Sequence, residues 1–465
     1  MAQKLTPACD TPAAAPQQNA YTWAVEVFAP ELHFDPGERF FPVDLDTTIA
    51  ASSLYRLDTQ AAPPVWPRVR DRGQIRPPDL AGASPGHFTS VTPLVTSGAA
   101  AAPRLMPQIA AVEALHANRT IASKLTMYGV VCKAGDVPNA HFFLDEIEAR
   151  DAAVARAIKD GYLITYFFFF PAAFAPDKDA YYEAEGDWSG ISLLFERLPT
   201  AQNVAQTLPV LSCYFRKSEP YYITGADGFA KWTDVTRQRD TTTGIDTHPV
   251  VYVSRGRHNC YYKPRKTVVP DIPWPSGLQV EMIEAGDYTP NPGGGTITGT
   301  FDPDVPEWMF AVFGPVALLF EFCAEMGCVE FDSSGVYSNA APTTDVADKG
   351  GHSARPPGSQ PQAGSDTPPA PLAPGAAPSQ LRVTPVYVDL TAPLVKDRWA
   401  FAGRWGAARM HRYSFWSDDP ANKESYDYYR FGGPDRPLLP AWFMWNLFFD
   451  VTFGAGAIGV LPSTP

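Results

Sequence analysis

Three short polar stretches of this chain carry residue types that can do chemistry. Glu185 and Asp187 stand two apart in Glu185-Gly186-Asp187-Trp188, so on an extended strand both carboxylates project from one face. Such a pair can bind a divalent cation or act as a coupled acid and base. A glycine between acids also suits a solvated turn. His258 follows Arg255-Gly256-Arg257 just beyond an apolar run, where an imidazole can serve as general base or cation ligand, or simply be hydrogen-bonded near the core. Arg255, Arg257 and Arg404 can clamp a carboxylate or phosphate, or neutralise buried acids. Glu185, Asp187 and His258 are therefore the candidate cation ligands, and His258 with Asp187 the candidate catalytic pair. Trp188, Tyr261 and the three arginines join Glu185 as candidate binding residues.

Other chemistry has no foothold. The chain lacks a phosphate loop, a strand-linked dinucleotide fingerprint, a nucleophile elbow and a zinc-protease helix. Of six cysteines, only Cys323 and Cys328 lie close together, without a second pair or nearby histidines, so buried free thiols are expected and a zinc site is not. A net charge of −13 repels nucleic acid and anionic surfaces.

The elements that must position these groups are strands. Aromatics make up 13% of 465 residues and prolines number 48, a combination that suits pleated, half-buried surfaces joined by long connections. The expected fold is mainly β, with a β-sandwich-like core, a few surface helices and long Pro-rich loops. Tyr162–Phe170 is a continuous apolar and aromatic run stopped by Pro171, which reads as a central strand covered on both faces. Ile191–Glu196 alternates with period two, and Pro249–Ser254 is a compact Val/Tyr strand. His141–Asp160 reads as one surface helix capped at Gly161.

Composition divides the rest. Residues 1–20 form a polar arm without the pattern of an export signal, which points to a soluble cytoplasmic protein. Residues 21–339 form the main β-rich domain, opened by short extended pieces over Tyr21–Leu45 and interrupted by a Pro/Ala-rich surface insertion at about 59–107. Residues 340–380 read as a disordered Pro/Ala/Gly linker. Residues 381–465 form an aromatic closing segment expected to pack back on the same domain. Trp308–Cys323 and Leu438–Leu461 are the longest apolar stretches, but proline and charge interrupt them, so no transmembrane segment is expected.

Four separated stretches resemble the Vps62-like family of uncharacterised proteins. They are Phe28–Pro42, Tyr162–Pro171 with Glu185–Trp188, Pro249–Tyr262, and Phe401-Ala402-Gly403-Arg404-Trp405-Gly406. The Glu-Gly-Asp-Trp element is also similar to one in Nep1-like necrosis-inducing proteins, which implies a β-sandwich with an acidic, metal-binding cavity for sphingolipid sugar headgroups. Two positions depart from the family pattern: Ala184 replaces a histidine and Ser189 a glutamate. Their loss weakens any cation site and shifts the balance from catalysis to binding. The reading is a ligand-binding protein with a polar cleft that can hold a cation and a glycan or lipid headgroup. The alternatives are an enzyme acting on a small organic molecule, with His258 as general acid/base and Arg255 fixing an anionic group, and a sorting or structural partner without a ligand.

Overall fold

The computed structural model describes residues 15–34, 38–56, 65–83, 87–97, 104–118, 120–121, 124–136, 144–174, 184–214, 229–253, 256, 258, 260–262, 279–283, 287–291, 352–359, 380–389, 392, 399, 401, 403 and 405–407. The fold is mainly β and is organised by two six-stranded sheets. In the central sheet the strands run in the order Phe229–Lys231, Leu211–Tyr214, Ala184–Phe195, Tyr162–Ala173, Thr126–Lys133 and Thr384–Tyr387. The second sheet has the order Arg237–Arg239, Asp246–Val253, Glu31–Phe34, His352–Arg355 and Gln380–Arg382, with Cys260–Tyr261 pairing alongside Asp246–Val253.

The long aromatic strand explains the layering. Along Tyr162–Ala173, Ile164, Tyr166, Phe168 and Phe170 share a core with Leu32, Phe34, Val251 and Val253 of the second sheet. Leu163, Phe167 and Phe169 point the other way, into a core with Val154 and Ile158 of a helix and with Trp399, Phe401 and Trp405. A strand buried on both faces has no polar side to alternate, which is why its sequence is continuous. Burying a side chain of this size contributes about 1.5–3 kcal/mol, so the strand anchors both layers.

Several expectations are corrected. Tyr21–Val27 is not extended: a helix spans Ala15–Val27, and Tyr21, Ala24, Val25 and Phe28 enter the inter-sheet core as a stripe at helical spacing. Residues 1–14 of the expected arm lie outside the described residues. The helix expected over 141–160 is two helices, Leu144–Arg150 and Ala152–Asp160, because the Asp151 side chain accepts the Ala153 and Val154 N–H groups and caps the second. The 59–107 stretch is more than a surface insertion. It supplies His87–Ser90, which pairs with Ser53–Arg56, and it buries Phe88 and Leu105.

The expected linker is corrected where it is described. His352–Arg355 is an interior strand of the second sheet, antiparallel to Glu31–Phe34 and parallel to Gln380–Arg382, and Ala354 fills the inter-sheet core. Pairing on both edges satisfies its backbone, so the segment needs little apolar surface of its own. Residues 384–387 then pair in parallel with Thr126–Lys133, while Trp399, Phe401 and Trp405 join the core on the far side of the central sheet. Cys132, Cys213 and Cys260 are buried. No helix among the described residues is long and apolar enough to cross a membrane; Trp308–Cys323 and Leu438–Leu461 lie outside them.

Candidate functional site

Glu185, Asp187 and Trp188 lie within the strand Ala184–Phe195, opposite Ala172, Phe170 and Phe169 respectively, and not in a solvated turn. Gly186 between the acids has φ +65°, and a side chain there would collide with the Trp405 carbonyl oxygen. This left-handed residue interrupts the strand's alternation. The two carboxylates serve different partners as a result.

Glu185 is buried and faces the 87–97 segment, where Val91 N–H donates to Oε2 at 3.0 Å and the Thr92 hydroxyl donates to Oε1. Burial pushes its pKa up, against hydrogen bonds from Thr92, Ser90, Val91 and Ala407 that favour the carboxylate. Asp187 instead meets His258, with Oδ2 2.6 Å from Nδ1. The other ring nitrogen, Nε2, lies 3.3 Å from Oε1 of Glu38, and the imidazole stacks on Phe170 at 3.8 Å with 3° between planes. His258 itself has φ +58°, the one non-glycine residue with positive φ among the described residues. Its hydrogen bonds and stacking hold that backbone conformation.

Glu38 organises the triad. Oε1 accepts the N–H groups of Arg39 and Phe40 at 2.8 and 2.9 Å, and Oε2 accepts that of Gly256 at 2.8 Å. Gly256, with φ +75°, lies where a side chain would strike the Phe174 carbonyl, and its own carbonyl accepts the Phe174 N–H at 2.9 Å. One carboxylate thus fixes the backbone at 256 and the ring at 258.

All three groups are buried. Burial disfavours charge on His258 and Glu38, yet mutual attraction wins for both. Burial pushes the His258 imidazole down, but the charge of Glu38 and bonds to both carboxylates bring its pKa above the ordinary value. Burial likewise raises Glu38, but His258 and the backbone donors bring it below the usual carboxylate value. Both ring nitrogens face acceptors, which only the doubly protonated ring can satisfy. The result is one imidazolium between two carboxylates.

His116 completes the surroundings. It lies in the last turn of the helix Ile109–Ala117, between Phe40 and Phe41, and its Nε2 has no partner among the described residues. Burial pushes its pKa down to about 4, so the ring is neutral at ordinary pH. Behind the triad, Ser189 Oγ is 3.1 Å from Cys260 Sγ, both buried. A glutamate at 189 would have to displace that packed pair.

The structure therefore brings Asp187 and His258 together and sends Glu185 elsewhere. Trp188 is packed among Tyr128, Phe167, Phe169, Trp399 and Trp405, and Tyr261 is buried. Arg255, Arg257 and Arg404 lie outside the described residues. A divalent cation does not fit: the facing atoms of Asp187 and His258 are bonded to each other, and Glu38 is occupied by backbone donors. No group of three or more His, Cys, Asp or Glu among the described residues is placed to hold a metal.

Two groups escaped the sequence reading. Glu38 stands next to the buried aromatics Phe40 and Phe41, an acid without solvent to face, and His116 falls on the stripe Ile109, Val112, His116 at helical spacing. No protein-family model, curated protein or solved structure matches the chain.

Proposed function

We propose that this chain is a binding protein, akin to the Vps62-like proteins it resembles, and that it takes an anionic headgroup on a glycan or lipid. The binding element is the loop that follows the strand Asp246–Val253. The observation that carries this reading is the grip of Glu38, which holds the Gly256 N–H through Oε2 and the His258 ring through Oε1. A loop pinned at two points loses little entropy when it receives a ligand. Arg255 and Arg257 flank the pinned Gly256 in the sequence, and guanidinium groups pair with phosphate or carboxylate in fixed geometry. The triad is the support of this loop and not its chemistry, since His258 keeps no lone pair to accept a proton.

Binding of the purified protein to inorganic phosphate, to a uronic-acid oligosaccharide and to vesicles with or without phosphatidylinositol tests the reading and separates the two sources of the headgroup. The double variant Arg255→Ala, Arg257→Ala should bind about tenfold or more weakly, the scale of a lost charge-assisted hydrogen bond. Unchanged binding by that variant would remove the loop from the interface. No binding to any probe by the native chain would favour a sorting or structural partner without a ligand.

A further inference from the structure

A second carboxylate–imidazole pair lies on the outer face of the second sheet, on the strand that pairs with Asp246–Val253. On the strand Glu31–Phe34, Leu32 and Phe34 enter the inter-sheet core, so Glu31 and His33 project from the opposite face. His33 Nε2 is 2.7 Å from Glu31 Oε1. Glu31 has no exposure and is held by Arg355 Nε on Oε1 and by Ser359 Oγ on Oε2, each at 3.0 Å. Burial raises its pKa, but the His33 hydrogen bond, the Arg355 charge and the Ser359 hydroxyl together bring it below the ordinary value, so it stays a carboxylate.

The difference from the other network histidines is access. The His33 side chain is 11% exposed, whereas those of His248 and His258 are fully buried. His248 has both nitrogens bonded, Nδ1 to the Ala29 carbonyl at 2.7 Å and Nε2 to Asp240 at 3.3 Å. Among the described residues His33 makes a single ring-nitrogen bond, through Nε2. In the neutral ring, a proton on Nε2 donates to this carboxylate and leaves the lone pair on Nδ1.

We propose that Glu31 and His33 form a general-base site that hydrolyses an uncharged carboxylic ester, with His33 as the catalytic residue and Glu31 as its positioning residue. The groups facing His33 define the chemistry. Tyr252 from the neighbouring strand sets its ring edge-on at 5.4 Å, Ser353 lies opposite in the register on the other side, and Arg355 shares Glu31. None of these is bonded to His33, so water is the nucleophile. The charges of Glu31 and Arg355 cancel, which suits a neutral substrate. Nδ1 takes a proton from water as the water oxygen bonds to the ester carbonyl carbon. The tetrahedral intermediate then breaks its bond to the alkoxy oxygen, which receives the proton from Nδ1 and leaves as an alcohol beside a carboxylic acid. Glu31 remains ionised throughout.

Two measurements on the full chain test this. Peptide mass spectrometry after brief treatment of the native protein with diethyl pyrocarbonate should find His33 modified and His116, His248 and His258 untouched. An unmodified His33 would overturn the proposal without any variant having to fold. With p-nitrophenyl acetate as probe, hydrolysis above the free-imidazole background should fall about 100-fold or more in His33→Gln, the lower range for a lost general base. It should also slow in deuterium oxide, and Glu31→Gln should lower kcat with KM unchanged. A His33→Gln protein that keeps the native rate, or a native protein with no rate above background, would sink it.

Discussion

Two histidines, one on each side of the same sheet, are held by carboxylates, and they differ in what is left over. On the inner side His258 is stacked on Phe170 and bonded at both nitrogens, to Asp187 and Glu38, with no exposure. On the outer side His33 is bonded at one nitrogen and keeps a margin of solvent contact. The same residue types are closed into structure in one place and left open to chemistry in the other. The number of acceptors decides: two carboxylates consume an imidazole, whereas one orients it. The carboxylates are shared differently as well. Glu38 spends its remaining capacity on the backbone of Arg39, Phe40 and Gly256, so its loss would loosen the chain. Glu31 spends its own on the side chains Arg355 and Ser359, which remain if His33 is removed.

The comparison breaks most visibly at His258. Replacing it with alanine leaves Glu38 and Asp187 as two buried carboxylates without their shared cation and removes the ring stacked on Phe170. Breaking a buried ion network in this way costs about 3–5 kcal/mol. Urea unfolding of His258→Ala should show that loss, and a loss below about 1 kcal/mol would mean that the inner network is as dispensable as a surface pair.

The pH dependence should carry the signature of the inner side. The raised imidazole of His258 stabilises the fold fully below its ordinary value of 6.5, and that contribution fades as pH rises through the folded value. Glu38, held low, stabilises above 4.5 and loses its contribution as pH falls through its folded value. Glu185, raised by burial, acts like His258, losing its contribution as pH rises from 4.5. His116 works in the opposite sense to both, because its folded pKa is depressed: the unfolded chain takes up the proton first, so stability falls as pH drops from 6.5 to about 4. At about 1.4 kcal/mol per pH unit this loss is about 3 kcal/mol. His116→Phe keeps the aromatic packing and has nothing to protonate. The difference in unfolding free energy between native and variant protein should therefore change by about 3 kcal/mol across that range, while the other groups cancel. A constant difference would show that His116 is already protonated or exposed.

Much of the framework could be read from residue order. Continuous aromatics from Tyr162 to Phe170 identified a strand covered on both faces, because only double burial removes alternation. The pairing of Asp187 with His258 was within reach of the same reading, since both flank apolar runs. The assignment of Glu185 to that pair failed on one dihedral angle: spacing of two implies a shared face only if the residue between is extended, and Gly186 is not. The helix at Ala15–Val27 was hidden by polar composition, although its apolar residues fall on one stripe. The strand His352–Arg355 was hidden for a different reason. Its place in the sheet comes from backbone pairing with Glu31–Phe34, distant in sequence, and composition carries no trace of that. Glu38 and His116 were missed because a lone acid or imidazole beside aromatics reads as surface until the partner across the core is known.

The smallest expected effect is the most discriminating. In His33→Gln the amide can still donate to Glu31, and Arg355 and Ser359 continue to hold both carboxylate oxygens, so no buried charge is stranded. The net worth of one such hydrogen bond is about 1 kcal/mol, and the substitution should change the unfolding free energy by no more than about that. The same exchange at His258 removes an imidazolium from between two buried anions, and an amide, neutral and with a single donating end, cannot replace it. Urea titrations of His33→Gln and His258→Gln in one buffer therefore set the two sides of the sheet against each other: near-native stability for the first and a loss of several kcal/mol for the second would separate a histidine kept for its lone pair from one kept for its charge. Equal losses would make His33 a structural residue as well, and the outer face would then have no better claim to chemistry than the inner one.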